Sequence, residues 1–273
     1  VMGIAIERPL PRITWREAMD RYGSDKPDLR FDLPIVELTD LAAQWSFAVF
    51  RGAVESGGVV RDLRVPGGDS FSRSVIEDLT QKALGYGAKG MAWISLRPDG
   101  TLNSVLTKYF TATQMEALLA RMEAGPGDLI LFSADDLSCV RRALGGLRLD
   151  IAQLLGLRDK KAYKLLFVTD FPQFEYSPQE GRYLAMHHPF TMPYPEDLPY
   201  LTRDPGRVRA QAYDLVLNGW EVASGSVRNH TAKGQEAVFR AIGLSQEQAQ
   251  EKFGFLLEAL GAGAPPHRGI AFG

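Results

Sequence analysis

The feature that most constrains this chain is the pair Asn218-Gly219, which lies within the apolar stretch AYDLVLNGWEV (residues 212–222). An Asn-Gly pair between apolar segments is the strongest short-range signal for a β-hairpin. A type I′ turn requires positive φ at both central residues, and these two residue types tolerate it. The sequence therefore predicts two antiparallel strands joined by a two-residue turn.

This turn also predicts which acidic side chains share a face. With a two-residue loop, Val216 lies opposite Glu221, and Asp214 lies on the same face because side chains alternate with a period of two. Diagonal neighbours of this kind are roughly 5.5–8 Å apart, close enough for both carboxylates to bind one hard cation. Acidic residues on a hairpin are, however, often only the solvated face of a sheet. The apolar neighbours favour function, since a buried charge requires a partner.

Arg228 lies further along the second predicted strand. Strict alternation places it on the face opposite Glu221, whereas a bulge within residues 224–226 (Ser-Gly-Ser) would reverse that parity. With such a bulge, two carboxylates and an arginine share one face of the sheet. Such a face predicts a site for a metal-bound polyphosphate and an anionic substrate.

Composition limits the possible classes of protein. The 273 residues are 45% hydrophobic, enough for one large domain or two smaller ones with a packed core. The net charge of −2 gives no global positive field, so any RNA contact must come from a local patch. A single cysteine, Cys139, excludes disulfides within these residues and makes a cysteine-based zinc site implausible. No apolar run approaches the ~18 residues of a membrane span, and a cytoplasmic location without membrane contact is expected.

The hydrophobic pattern predicts an α+β organisation with a distinct central region. Capping residues predict one helix from Thr14 to Tyr22 and another that begins at Asp135 or Asp136 and runs to Leu144, with further helical residues to 155 after Gly145-Gly146. Arg141, Arg142 and Arg148 are predicted to form a solvated helix face. Strands are predicted at 47–50, 59–65, 91–96, 129–132, 164–170, 182–188 and 269–273, and further helices at 74–84, 113–123 and 245–260.

Several ordered strings resemble the bacterial type of aspartyl-tRNA synthetase, a family of class II aminoacyl-tRNA synthetases. They run from about residue 13 to the end, and their co-occurrence in this order is highly specific. The strings are RYGSDKPDLR (21–30), RVPGG (64–68), YGAKG (86–90), DFPQFE (170–175), AMHHPF (185–190), AYDLVLNGWEV (212–222), GSVR (225–228), EKFGFLLEAL (251–260) and PPHRGIAFG (265–273).

The resemblance implies a domain organisation. Residues 37–135 match the GAD domain that this family inserts into its antiparallel-sheet catalytic domain, to which residues 1–36 and 136–273 would belong. The final PPHRGIAFG resembles the start of the third class II motif. The first two motifs and the anticodon-binding barrel have no counterpart here. The chain is therefore expected to be part of a longer, homodimeric protein and not to form aspartyl-adenylate by itself.

The resemblance also assigns roles to the polar residues noted above. Glu221 matches the family's ligand for ATP and Mg²⁺, and Asp214 matches its second metal-binding acid. Arg228 matches the arginine that pairs with the side-chain carboxylate of L-aspartate. His187 matches the histidine at the aspartate pocket, with His188 beside it as a supporting residue. The implied activity is ATP-dependent activation of aspartate and its transfer to tRNA.

Two other functions remain open on sequence alone. A non-catalytic tRNA-binding paralogue that carries a GAD domain would share most of the strings, although a binding module has no need for both acidic residues. A metal-dependent hydrolase could use Asp214 and Glu221, but no recognisable motif supplies its activating base.

Overall fold

The computed structural model describes Ile6 and residues 8–273. The chain divides into two units, a flanking unit of Val1–Arg16 with Leu165–Gly273 and a central unit of Glu17–Lys164. Residues 1–5 and 7, which belong to the segment 1–36 predicted as catalytic domain, lie outside the described residues.

Both units combine helices with mainly antiparallel sheets, as in an α+β fold. The strands are β1 (Arg12–Thr14), β2 (Ile35–Glu37), β3 (Val59–Val65), β4 (Ala92–Leu96), β5 (Leu102–Asn103), β6 (Leu129–Asp135), β7 (Leu165–Thr169), β8 (Phe174–Ser177), β9 (Arg182–Ala185), β10 (Ala212–Leu217), β11 (Trp220–Val227) and β12 (Arg268–Phe272). The helices are α1 (Trp15–Tyr22), α2 (Thr39–Ala42), α3 (Ala48–Glu55), α4 (Arg73–Gly85), α5 (Ala112–Met122), α6 (Leu137–Leu154), α7 (Ala232–Ala241) and α8 (Gln246–Ala262). Among the described residues, no helix has the length and apolar character needed to cross a membrane.

The central unit is built on an antiparallel sheet of order β2-β3-β6-β4-β5. Its middle strand β6 begins with the apolar run Leu129–Phe132, which is buried on both faces. One face of the sheet packs against α4 and α6, and the other packs against α3 and α5. Continuous apolar strands are expected where both faces of a sheet are covered.

Five strands of the flanking unit form a second sheet in the order β1-β7-β10-β11-β12. Only β1 and β7 are parallel; the other neighbouring strands are antiparallel. Side chains of β10 alternate between buried and half-buried, so one face of this sheet is more thoroughly covered. Val238 of α7 is completely buried and packs with Phe174, Leu201 and Val208.

Most of the predicted elements are confirmed. Helix α1 ends before Gly23, whose φ of +67° stops a helix, and α8 begins with the predicted capping box of Ser245 and Gln248. Helix α7 was not predicted. The strands confirmed are β3, β4, β6, β7, β12 and, as far as Ala185, β9; the helices confirmed are α4, α5 and α8.

The predicted strand at residues 47–50 is wrong, because these residues begin α3. Phe47, Phe50 and Val54 recur at helical spacing and pack on the same face of the central sheet. Val49, which a buried strand would enclose, is 61% exposed. A short apolar run does not by itself distinguish a strand from the start of a helix.

Helix α6 is continuous through Gly145-Gly146, where the sequence predicted an interruption. A Cβ on Gly145 would lie 2.9 Å from the carbonyl oxygen of Gly23, and one on Gly146 would lie 2.5 Å from the Tyr86 ring. The glycines therefore allow close approach of neighbouring segments. Because α6 packs on the central sheet, the compact unit Glu17–Lys164 includes more residues than the predicted insertion 37–135.

Arg148 of α6 is buried, contrary to the prediction of a solvated face for this helix. Only 1% of it is exposed, and its guanidinium donates hydrogen bonds to the carbonyls of Asp28 (2.9 Å), Phe31 (3.1 Å) and Leu33 (3.0 Å). It also stacks over the Phe31 ring, 4.1 Å from the centroid. Burial lowers the pKa of Arg148 to about 10. This one side chain fixes the loop that precedes β2.

Asp62 of β3 is completely buried, and neither of its carboxylate oxygens has a hydrogen-bond partner. Burial raises its pKa well above the usual range, the charge of Glu37 raises it further, and Arg121 lowers it. The folded protein therefore holds a proton that the unfolded chain releases above about pH 4. The contribution of this protonation to the free energy of unfolding is greatest below about pH 4, and it is lost as the pH rises towards the folded-state pKa.

We therefore expect Asp62→Leu, which is similar in shape, to raise the free energy of unfolding by about 1–3 kcal/mol at pH 8. The gain should be smaller at pH 4.5, because this pH is close to the unfolded-state pKa and keeping the buried carboxyl protonated costs little there. Urea unfolding at the two pH values measures the difference. Asp78→Leu, at an exposed position of α4, is the matched control and should show no such pH dependence. A loss of stability in Asp62→Leu at both pH values would contradict this account.

Candidate functional site

The hairpin forms as predicted. Asn218 and Gly219 have φ of 53° and 89°, the two positive values that a type I′ turn requires. Leu217 pairs with Trp220, and Val216 pairs with Glu221. The predicted register next to the turn is therefore confirmed.

A β-bulge follows immediately, at Val222. Val216 pairs with Glu221 but Leu215 pairs with Ala223, so Val222 is an extra residue without a partner in β10. The bulge was predicted within residues 224–226, which instead pair regularly with β10 on one side and with β12 on the other. A bulge there would interrupt two ladders, whereas the register with β12 begins only at Ala223.

The bulge brings the predicted polar residues to one face of the sheet. Asp214 lies two residues before Val216 and hence on the face of Glu221, and its direct partner after the bulge is Ser224. Because of the extra residue, each side chain of β11 after Val222 points to the face opposite to the one that strict alternation would give it. The alternation, continued one residue past β11, places Arg228 on this face too. Ser224 was not anticipated, since its position depends on where the bulge lies.

This face offers hard oxygen ligands. Asp214 is 3% exposed, while Glu221 and Ser224 are exposed towards the hairpin end. In the part of the chain that the structure describes, no group of three or more His, Cys, Asp or Glu residues stands in position to hold a metal ion. Mg²⁺ is commonly held by one or two carboxylates together with substrate phosphates. The two carboxylates and the hydroxyl therefore fit a cation that arrives with a polyphosphate.

Arg228 is held by its backbone and contacts a histidine. Its N–H donates to the carbonyl of His267 (3.0 Å), and it forms a β-bridge with Thr191. Its Nη1 lies 3.2 Å from Nδ1 of His188 and also contacts Nε2. Burial lowers the pKa of His188, and the charges of Arg228 and His187 lower it further. A neutral imidazole accepts the hydrogen bond that an arginine donates.

The two adjacent histidines have different surroundings. His188 is half-buried against Arg228, whereas His187 is exposed and its ring meets the edge of Phe171, with centroids 5.0 Å apart. The structure thus brings His188, rather than His187, to the guanidinium. The role of His187 in binding a substrate stays a prediction.

A cleft of about 570 Å³ opens beside Arg228 and is large enough for a small ligand. Arg228 and His267 contribute polar groups, and Phe253 and Leu256 of α8 form an apolar wall. The chemistry available here is recognition of a carboxylate by a guanidinium, next to a sheet face that carries hard oxygen ligands.

Comparisons with known proteins show the family to which the chain belongs. Residues 2–273 match the family described as tRNA synthetases class II (D, K and N). Over the whole chain, 53% of residues are identical to an aspartate--tRNA(Asp/Asn) ligase of Lachnoclostridium phytofermentans and 52% to one of Moorella thermoacetica. Identity is 47% to an aspartate--tRNA ligase of Agathobacter rectalis. The chain spans only 45–46% of the length of these relatives.

The structural comparison is weaker. An aspartyl tRNA synthetase from Entamoeba histolytica matches with a TM-score of 0.31 and 12% identity, covering 79% of this chain and 38% of that one. A similarity at this level supports no argument about the fold.

Because burial and the charge of Arg228 both lower the pKa of His188, it should titrate below the usual 6.5. Above its lowered pKa, His188 is neutral and its contact with Arg228 should persist. As the pH falls through that pKa, the imidazole becomes positively charged and the contact should be lost. We expect Arg228→Gln to raise the pKa of His188 while burial keeps it below 6.5. An NMR titration of the imidazole measures the pKa of His188 in the wild type and in the variant. Arg203→Gln, at an exposed site, is the control, and an identical titration in Arg228→Gln would contradict the assigned contact.

Proposed function

The chain belongs to the class II tRNA synthetases of the D, K and N type, and we propose that it forms the aspartate-binding half of an aspartate–tRNA ligase. The observation that carries the proposal is the register of β10 and β11. Through the bulge at Val222, it places Asp214, Glu221 and Arg228 on one face of the sheet.

Arg228 is proposed to bind the side-chain carboxylate of L-aspartate. A guanidinium binds a carboxylate with two parallel hydrogen bonds, a geometry that an ammonium group lacks. The neutral ring of His188 is a weaker partner than an ionised carboxylate, so the substrate can displace it. Asparagine would leave the positive charge of Arg228 unpaired, which disfavours the amide substrate.

Asp214 and Glu221 are proposed to bind Mg²⁺ with ATP, and Ser224 lies opposite Asp214 as a further oxygen ligand. When bound, the cation neutralises phosphate charge. Arg228 holds the aspartate so that its α-carboxylate oxygen can attack the α-phosphate in line. The bond from that phosphorus to the bridging oxygen then breaks, and pyrophosphate leaves. The residues contribute positioning and charge and form no covalent intermediate with the substrate.

The remaining assignments concern the longer protein. Residues 37–135 are proposed to be a GAD-like insertion, with residues 1–36 and 136–273 belonging to the catalytic domain. The family supports a cytoplasmic enzyme that binds tRNA and transfers the activated aspartate to it, and a homodimer is proposed with it. Identity of 53% and 52% over 272 residues supports these assignments.

The test is aspartate-dependent exchange of pyrophosphate into ATP by the full-length protein that contains this chain. We expect Arg228→Lys to raise the KM for aspartate about 10- to 100-fold, since it loses the bidentate pairing, while the KM for ATP changes little. Glu221→Gln should instead raise the KM for ATP at limiting Mg²⁺, because it removes one negatively charged ligand.

Arg203→Lys is the matched control, because Arg203 is exposed in the same unit and should leave both KM values unchanged. If the wild-type protein catalyses no exchange yet binds tRNA, the proposal fails and the non-catalytic tRNA-binding function takes its place. Equal effects of Arg228→Lys on both KM values would contradict the assignment of Arg228 to the aspartate pocket.

A further inference from the structure

Three buried amide side chains converge behind the histidine segment of the flanking unit. Gln173, Asn229 and Gln235 are 3%, 7% and 1% exposed. They come from different parts of the unit: Gln173 immediately precedes β8, Asn229 follows β11, and Gln235 lies on α7. Buried amides are costly unless they are hydrogen-bonded, so their common target indicates what they hold in place.

That target is a pair of backbone carbonyls on either side of Phe190. Gln235 Nε2 donates to the carbonyl of Pro189 (2.8 Å). Asn229 Nδ2 donates to the carbonyl of Thr191 (3.2 Å) and to Gln235 Oε1 (3.3 Å). Gln173 Nε2 donates to the same Thr191 carbonyl (3.1 Å). We call these three side chains the amide clamp.

The clamped segment is the one that carries the contact with Arg228. Pro189 directly follows His188, and the N–H of Phe190 donates to His188 Nδ1 (3.2 Å). Thr191 forms the β-bridge with Arg228, and the N–H of Asn229 donates to the Phe190 carbonyl (2.9 Å). The clamp therefore fixes the backbone on both sides of the pairing between His188 and Arg228.

We propose that Gln235 is a positioning residue for the amino-acid pocket, acting through Asn229 and the Pro189 carbonyl to aim Arg228 at the substrate carboxylate. This inference rests on the proposed function. Gln235 touches neither substrate nor Arg228; it sets where His188 stands and hence where the guanidinium is directed. Displacement of a binding group by about 1 Å can cost about 100-fold in activity.

The chemistry of the position requires an amide. Gln235 donates through Nε2 and accepts through Oε1 at the same time. Glutamate has no donor and would place a charge beside the Pro189 carbonyl oxygen. Methionine is similar in length to glutamine but is apolar. It would therefore leave both Asn229 and that carbonyl with one hydrogen bond fewer.

The experiment is pyrophosphate exchange by the full-length protein with Gln235→Met and Gln235→Glu. Both variants should raise the KM for aspartate about 10- to 100-fold and leave the KM for ATP within about twofold. In Gln235→Met the pKa of His188, measured by NMR, should also move towards 6.5 as the segment loosens and water enters.

Val238→Ala is the matched control for a purely structural effect. Val238 lies on the same helix, is fully buried and packs in an apolar cluster that contains none of the clamp residues. Its truncation to alanine therefore lowers stability and removes no hydrogen-bonding group of the clamp. We expect it to lower the Tm while both KM values stay within about twofold of the wild type.

Similar increases of the KM for aspartate in Val238→Ala and Gln235→Met would overturn the inference, because stability alone would then explain them. So would unchanged aspartate binding in an active Gln235→Met enzyme. A wild-type protein without aspartate-dependent exchange would overturn the proposed function together with this inference. Measuring the wild type first therefore separates the two failures.

Discussion

The candidate site depends on one extra residue in a strand. Because Val222 has no partner in β10, every side chain after it in β11 points to the face opposite to the one that strict alternation assigns. Without it, Arg228 and the carboxylates would lie on opposite faces of the sheet and could not act on one substrate. Bulges re-aim side chains beside active sites, and this one joins an arginine to an acidic pair.

The surroundings of Arg228 fit its proposed role of binding a carboxylate. In this structure its guanidinium lies against the neutral ring of His188, which holds it in place without neutralising its charge. The histidine segment is in turn held by buried amides on its other side, so the arginine is oriented before any ligand binds. Orientation in advance reduces the entropy that binding must overcome. Arg148 of the central unit shows a contrasting use of a guanidinium, since it donates to three backbone carbonyls and stacks on the Phe31 ring.

Local patterns predicted the features that local chemistry determines. The turn at Asn218-Gly219, the register beside it and the capping box of α8 follow from residue types a few positions apart, and all three are confirmed. The position of the bulge depends on the ladder that β11 shares with β12, which no local pattern contains. Likewise, the unbroken α6 and the burial of Arg148 depend on packing against distant segments.

The most direct test is a crystal structure of the full-length protein with L-aspartate, Mg²⁺ and a non-hydrolysable ATP analogue. The account predicts that the guanidinium of Arg228 leaves His188 and binds the side-chain carboxylate of aspartate at about 2.8 Å. It also predicts that Asp214 and Glu221 lie beside the cation on the phosphates. Aspartate bound elsewhere, with Arg228 still against His188, would contradict the account.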